Sequence, residues 1–133
     1  MLFSCIEALR GWLMPFPFWL KGLGPRGEYL ARRYYHRRGY HCLARNWRHG
    51  RWELDLVMAN YRRLLFVEVK TRRYRPGRRI GDVLRHRQKR RLLKLAKIYL
   101  DRWKAGEIPW AFCLVLVTFR GRGGPSIQTA ILR

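Results

Sequence analysis

The sequence predicts a single α/β domain with one hydrophobic core. The chain has 133 residues, which is long enough for one domain and too short for two ordinary ones. Hydrophobic residues make up 48% of it, so folding can bury enough apolar surface to offset the lost chain entropy. Segments of helical and strand periodicity follow in the order α-β-β-β-α-β-β, with no visible repeat or interdomain linker.

The first half of the domain is predicted to contain one helix and three strands. The helix covers residues 26–38, carries Glu28 in its opening turn and ends at Gly39, a residue type that commonly stops helices. The strands are predicted over residues 40–47, 52–59 and 64–70. The third of them, LLFVEVK, is nearly continuously apolar, which is typical of a central strand covered on both faces.

The second half is predicted to contain a basic loop, one helix and two strands. Residues 72–81 are rich in Arg, Pro and Gly, a composition that favours a loop. From about residue 84 to 103, apolar residues repeat on one helical face and Arg and Lys fill the other. Strands over residues 110–119 and 126–132 follow, with a Gly-rich turn between them.

An apolar extension, residues 1–24, precedes the domain of residues 25–133. Its charged residues and two prolines leave no uncharged run near the ~20 residues of a membrane span, and its pattern does not suit a secretory signal. Three interpretations stay open. Residues 1–23 can lie on a membrane surface, cover part of their own domain, or contact a partner.

The charge balance makes nucleic acid the first partner to consider. The chain has 30 Lys and Arg against 8 Asp and Glu, a formal net charge of +22 that repels itself unless a polyanion is near. Arg predominates, and its planar fork binds phosphate oxygens in pairs. An acidic membrane surface is the second candidate. Three separated cysteines without a CxxC pair favour a reducing cytoplasm over a zinc site or a disulfide framework.

Acidic and basic side chains are expected to meet on two neighbouring strands. Glu68 and Lys70 point to one face of their strand, roughly 6.5–7 Å apart, because strand residues alternate faces. Glu53 and Asp55 likewise share a face of the preceding strand, and a hairpin between the two strands can bring Asp55 beside Glu68. The opposite face of that preceding strand is expected to receive Leu54 and Leu56.

Two carboxylates at close range favour a divalent cation between them, and oxygen ligands suit Mg²⁺ or Mn²⁺. The expected ligands are Asp55, Glu68 and the main-chain carbonyl of Val69, with Lys70 orienting the attacking water or neutralising the phosphate. The alternative is a structural ion-pair cluster. Three of only eight acids fall in these apolar strands, where burial of an acid without a partner costs several kcal/mol. Acids kept at such a cost favour a functional site.

Basic residues are expected to surround this site and hold a nucleic-acid backbone. After the third strand they are Arg72, Arg73, Arg75, Arg78 and Arg79. The basic face of the later helix, including Arg87 and Lys89, can extend the same groove. Tyr74 and Trp52 can stack on unpaired bases, with core packing equally open for Trp52. A merely solvated arginine loop is the alternative.

Four sequence motifs in order resemble one known family. GEYLARRYYHRRGYHCLARNWR, ELDLV, LFVEVKTRR and VLRHRQKRRL are similar to the YraN (UPF0102) family across about residues 26–119. The family resembles Holliday-junction resolvases and restriction endonucleases of the PD-(D/E)xK type. The resemblance therefore implies a restriction-endonuclease-like fold in which helices flank a mixed central β-sheet.

The resemblance also implies site residues. It assigns Asp55 and Glu68 as metal ligands, Lys70 as the nuclease lysine, and Glu28 as a helix acid that completes the site. Gln88 matches a polar position of the later helix. Without the resemblance, Glu28 is equally explained as an acid that favours a helix's first turn, and Glu53 as a hairpin-stabilising or supporting acid.

Two residues depart from the family pattern. Trp52 stands where the family usually has Gly, and Arg87 stands where it often has Lys. The first substitution can narrow access to the site, and the second preserves the charge.

The hypothesis from the sequence is a Mg²⁺-dependent endonuclease that recognises DNA, including branched DNA, through its backbone and shape. One alternative is a nucleic-acid-binding module of the same fold without turnover. The other is a peripheral membrane or scaffold protein, anchored by residues 1–23.

Overall fold

The computed structural model describes the backbone of residues 4–8, 21–80, 86–121 and 124–132, and the side chains of residues 21–80, 88–121 and 124–132. The elements in chain order are β1 (Ser4–Ala8), α1 (Leu23–His36), β2 (His41–His49), β3 (Trp52–Ala59), β4 (Leu64–Arg73), α2 (His86–Arg102), β5 (Trp110–Phe119) and β6 (Ser126–Leu132). The strands form one sheet in the order β1-β6-β5-β4-β3-β2.

The sheet is mixed, as the resemblance implied. β4 and β5 are parallel, and the remaining neighbours are antiparallel. The parallel pair requires a crossover, and α2 lies in that connection. The predicted α/β class, with a mixed sheet flanked by helices, is therefore confirmed, and the architecture is compatible with the restriction-endonuclease-like fold.

Two apolar clusters lie on opposite faces of the sheet. On the α1 face, Val67 and Val69 of β4 pack with the buried residues of the helix. On the α2 face, Leu64 and Phe66 pack with the apolar stripe of that helix. Phe66 is fully buried, and its ring lies 5.7 Å from each of three aromatic rings. β4 is consequently covered on both faces, as its sequence predicted.

Residues 4–8 of the apolar extension form a strand. β1 pairs antiparallel with β6, from Ser4 opposite Ala130 to Ala8 opposite Ser126. The sequence pattern did not predict this strand. Residues 1–3 and 9–20 lie outside the described part of the chain, so the membrane and partner interpretations of the extension stay predictions.

Helix α1 begins at Leu23, three residues before its predicted start. Pro25 is compatible with this start because the first N–H groups of a helix have no helical acceptor to lose. The first turn therefore holds no acidic residue, and the prediction that Glu28 lies there is wrong. The helix ends at His36, two residues before its predicted end, and Gly39 follows in the turn, with a φ of 83° and its N–H donating to the carbonyl of His36.

Gly27 brings α1 close to β4. A Cβ at this position would lie 1.9 Å from the Thr71 hydroxyl oxygen and 3.0 Å from its Cβ, so only glycine fits. The contact fixes the helix beside the polar end of β4. Glu28, the next residue, is thereby placed close enough to Glu68 of that strand for the two charges to interact.

The remaining boundaries differ from the predictions mainly around the basic loop. β4 continues to Arg73, so Arg72 and Arg73 belong to the strand and not to the predicted loop. Helix α2 starts at His86, and residues 81–85 lie outside the described part. The last two strands have the predicted bounds.

Candidate active site

The candidate site lies where the pairing of β3 with β4 ends. The ladder runs from Ala59 opposite Leu64 to Leu56 opposite Val67. One residue further, the Asp55 side chain replaces a main-chain acceptor: its Oδ2 accepts a hydrogen bond of 2.7 Å from the Val69 N–H. A carboxylate is thus held at the point where the two strands stop pairing.

Strand β3 changes faces at Asp55. Leu54 and Leu56 were predicted to share one face, but Leu54 packs in the α2 cluster and Leu56 in the α1 cluster. That prediction is wrong because the regular alternation of side chains is interrupted at Asp55. Asn46, between the partners of Leu56 and Leu54, has a φ of 49°, a left-handed conformation that rotates the local strand.

Glu68 and Lys70 lie together on β4, as their spacing predicted. The Lys70 Nζ is 3.0 Å from Glu68 Oε1. Glu68 is 5% exposed and is the one charged residue that is buried among the described side chains. Their face is that of Leu64 and Phe66, because residues two apart on a strand point the same way.

The charge of Glu68 affects the ionisation of Asp55. The pKa of Asp55 is raised from 3.8 to about 7, first by burial and then by the negative charge of Glu68. The Val69 N–H and the Lys70 charge oppose this increase. Full ionisation of both acids is therefore costly without an additional positive charge, and a bound cation would lower that cost.

Glu28 joins the same electrostatic environment from α1. Its pKa is raised, first by burial and then by the charges of Glu53 and Glu68, while Arg45 lowers it. In the described part of the chain, no three acidic, His or Cys side chains are grouped so that they could hold one ion. The structure thus places Glu28 near the site without joining it to both strand acids in one ligand group.

Glu53 stabilises the hairpin. Arg48 Nε donates a 2.7 Å hydrogen bond to Glu53 Oε2, and the two residues are register partners of β2 and β3. Of the two roles open for Glu53, the structure supports the hairpin-stabilising one. Trp52 is half-buried against the α2 cluster, which favours core packing over base stacking.

The donor set suits a hard divalent cation. Each carboxylate has about four lone-pair sites, so one contact to Val69 or Lys70 leaves capacity for a metal. A strand residue directs its N–H and C=O to the same edge, so the Val69 carbonyl faces the gap that holds Asp55. Two carboxylates and a main-chain carbonyl are oxygen ligands of the kind that Mg²⁺ and Mn²⁺ prefer.

The predicted basic residues are divided among three places. Arg72 and Arg73 end β4, where Arg72 Nη1 donates to the Thr71 carbonyl. Arg75, Arg78 and Arg79 follow in the loop, and Arg78 Nη1 donates to the Arg73 carbonyl. Gln88 and Lys89 are half-buried near the start of α2, and the side chain of Arg87 lies outside the described part.

The sequence reasoning missed a cavity beside this basic loop. It has a volume of about 150 Å³ and lies between the loop, with Tyr74 and Arg78, and the sheet, with Thr118 and Gln128. The available signal was a set of polar residues at alternating positions at the end of β5 and the start of β6. The cavity requires three segments that are distant in sequence, so periodicity within one segment could not predict it.

No helix in the described residues is both long and apolar enough to cross a membrane.

Comparison with known proteins identifies the family. The profile of the Uncharacterised protein family UPF0102 matches residues 27–117. The chain is similar to a UPF0102 protein of Nitratidesulfovibrio vulgaris, with 39% identity over 98 residues, covering 74% of this chain and 73% of the relative. It is similar to one of Roseiflexus castenholzii, with 36% identity over 97 residues, covering 72% and 78%. The protein belongs to the UPF0102 family.

Proposed function

We propose that the protein is a metal-dependent phosphodiesterase that cuts nucleic acid, with DNA as the substrate. The observation that carries the proposal is the meeting of Asp55, Glu68 and Lys70 where the β3–β4 ladder ends. Two largely buried acids, of which Asp55 has a pKa raised by burial and by the charge of Glu68, are unfavourable in a merely structural role. They are well suited to a metal-assisted reaction.

Asp55, Glu68 and the Val69 carbonyl would hold Mg²⁺ or Mn²⁺. When bound, the ion would supply a water of lowered pKa and positive charge beside the phosphate. The hydrogen bond from Val69 fixes the orientation of Asp55. Because the pKa of Asp55 is raised, a metal ion would compete with a proton for this carboxylate near neutral pH.

Lys70 would contact the substrate directly, and Glu28 would contribute negative charge to the electrostatic field of the site. The ammonium group of Lys70 is held by Glu68 and is 18% exposed, so it can reach a phosphate oxygen or the attacking water. Glu28 adds negative charge from α1, which strengthens attraction for a cation. Helix α1 keeps it in place through the Gly27 contact.

The basic surface would bind the DNA backbone. Arg73, Arg75 and Arg79 are exposed at the end of β4 and in the loop that follows it, and the chain carries a net charge of +22. Contacts of this kind bind phosphates without reading bases, so recognition would depend on shape. We place this activity in the cytoplasm, where the thiols of Cys42 and Cys113, both free in the structure, would stay reduced.

The test compares isosteric variants in a Mn²⁺-dependent cleavage assay. We expect wild type to cut DNA with Mn²⁺ or Mg²⁺ and to stop when EDTA is added. Glu68→Gln and Asp55→Asn keep the side-chain shape and should lower the rate by roughly 100-fold or more, since metal and transition-state charge are lost together. Asp101→Asn, at an exposed acid of α2, is the matched control and should retain the wild-type rate.

Two results would reject the hydrolase. One is cleavage that persists in Glu68→Gln, because a contaminating nuclease would then be the source. The other is DNA that stays intact at a large protein excess with either metal.

A nucleic-acid-binding module without turnover is the second candidate. The 3.0 Å pair of Lys70 with Glu68 favours it, because the lysine charge is already used to neutralise a buried acid. In that case DNA binding should be the same in EDTA and Mn²⁺. Replacing the Glu68–Lys70 pair by Gln and Met would then change stability and leave affinity unchanged.

A further inference from the structure

Most residues that line the cavity beside the basic loop carry a side-chain hydrogen-bond donor. Eight residues line its volume of about 150 Å³, and only Leu116 lacks a side-chain donor. Three of the eight are arginines, Arg75, Arg78 and Arg120. None is acidic. A lining of this kind favours a ligand that is rich in acceptors and negatively charged.

The position of the cavity is fixed by the sheet. Lys70, Leu116 and Gln128 are register partners across β4, β5 and β6, so they form one row on the α2 face. Adjacent strands lie about 4.8 Å apart, which places Gln128 two strands, or roughly 10 Å, from Lys70. The cavity therefore opens on the same face as the candidate active site and begins one strand away from it.

Two contacts hold the walls of the cavity in place. Ile80 is buried against Leu114, Ala130 and the lining residue Leu116. On another side the guanidinium of Arg120 lies 4.1 Å from the centre of the Tyr74 ring. This cation–π contact limits the freedom of the arginine before any ligand arrives. A recess of about 150 Å³ suits a small, compact group better than a length of nucleic-acid chain.

We propose that this cavity binds the phosphomonoester of a nucleotide, at the end of a nucleic-acid strand or on a free mononucleotide. A terminal phosphate carries a charge of about −1.5 to −2 near neutral pH and offers only acceptor oxygens when fully ionised. Arg75, Arg78 and Arg120 supply charge and paired donors, and Ser126 and Gln128 supply neutral donors from the floor. The phosphate group itself would be recognised, whatever base follows it.

The inference deepens the proposed function, because a bound strand end would place a nearby phosphodiester at Lys70. It does not depend on cleavage. Binding measured in EDTA therefore tests the cavity alone, and its result can differ from that of the cleavage assay.

The experiment compares short single-stranded DNA with and without a terminal phosphate by fluorescence anisotropy. The dye is placed on the opposite end, and both 5′- and 3′-phosphorylated strands are used at fixed salt in EDTA. We expect wild type to prefer one phosphorylated strand by roughly tenfold, the scale of a charge-assisted contact. Arg78→Ala, Arg120→Ala and Gln128→Leu should reduce that preference to about one- to threefold on the same scale.

The matched control is Arg51→Ala. This exposed arginine lies at the β2–β3 turn, outside the cavity lining, and its loss changes the net charge as much as loss of Arg78 does. Affinity for all strands should fall slightly while the phosphate preference stays unchanged. Thymidine monophosphate and inorganic phosphate serve as competitors. Displacement of the strand by the free nucleotide at comparable concentration would assign the cavity to mononucleotides, and its failure would assign it to strand ends.

Equal affinity of wild type for phosphorylated and unphosphorylated strands would overturn the inference. A preference that persists in all three cavity variants would overturn it as well, because another surface would then read the phosphate. If the preference is found and no cleavage occurs with any metal, the proposed nuclease function fails and the phosphate-binding cavity stands.

Discussion

The two halves of β4 differ in both packing and charge. Residues 64–67 pair with β3 and β5 and contribute only buried apolar side chains. Residues 68–73 pair with β5, beyond the end of the ladder to β3, and carry Glu68, Lys70 and Thr71. One strand thus provides the centre of the core at its start and the candidate site at its end. A rigid first half can hold functional side chains in place although they are themselves unfavourable for stability.

The largest expected effect is in the first half. Phe66→Ala should lower the free energy of unfolding by about 3–5 kcal/mol, because a fully buried ring is replaced by a cavity. Denaturant unfolding measures this, with Tyr61→Ala, at an 88% exposed residue, as the control. Folded Phe66→Ala should bind DNA as tightly as wild type. A loss below 1 kcal/mol would refute the assignment of this half to the core.

In the second half of β4, a substitution should raise the stability of the protein while it removes the function. Asp55 has a pKa of about 7 in the folded protein against 3.8 when unperturbed, so the native state binds its proton more tightly. The contribution of Asp55 to stability is therefore greatest below pH 4 and decreases as the pH rises through 7.

Asp55→Asn should remove this pH dependence, because it carries no charge and keeps an oxygen for the Val69 N–H. In EDTA at pH 8 we expect it to be more stable than wild type by about 2–4 kcal/mol, while metal-dependent cleavage is lost. The advantage should shrink towards pH 4. Parallel unfolding curves at both pH values for the two proteins would contradict the burial of a strained carboxyl group.

An intermediate effect is expected where α1 contacts the second half. Gly27→Ala introduces a Cβ within 1.9 Å of the Thr71 hydroxyl oxygen, so the helix or the strand must shift. We expect a loss of roughly 1–3 kcal/mol, together with weaker metal binding because Glu28 moves with the helix. Gly24→Ala, in the same helix with open space around it, is the control and should not destabilise the protein. Equal behaviour of the two variants would remove the close contact as a determinant of the site.

The smallest effect is expected outside β4, at the Arg48–Glu53 pair. Glu53→Gln should cost roughly 0.2–1 kcal/mol in thermal unfolding, because Arg48 is 75% exposed and water screens the pair. Added salt should reduce the difference further. A loss of cleavage larger than the loss for Asp101→Asn would instead give Glu53 a functional role and extend the site beyond β4.

The bounds of the strands could be predicted from the sequence more accurately than the way in which neighbouring strands pair and twist. The bounds of β3, β5 and β6 follow from apolar runs that end at turn-forming residues, and they agree with the structure. The face of Leu54 could not be predicted, because a left-handed residue on the neighbouring strand changes the local twist. Helix α1 starts earlier than predicted because Pro25 was interpreted as part of a break before the helix and is tolerated in its first turn.

The candidate site was predictable to the extent that it depends on alternation along one strand. Glu68 and Lys70 share a face because they are two residues apart, and their contact follows. The bond of Asp55 to the Val69 N–H depends on where two strands stop pairing, which single-strand patterns do not contain. The position of Glu28 likewise depends on Gly27, which lets α1 approach Thr71 of β4 closely. The sequence alone does not show that these two residues are in contact.

The irregular β2 has a consequence for how this protein behaves at high concentration. As an outer strand of the sheet it presents free main-chain groups, which in a flat strand would template pairing with another molecule. Its register shifts between Cys42 and Ala44, Asn46 is left-handed, and Arg45 is exposed. The bulge, the twist and the like charges of neighbouring copies all oppose edge-to-edge stacking. A highly basic, aromatic-rich chain is in this way kept from forming intermolecular sheets along that rim.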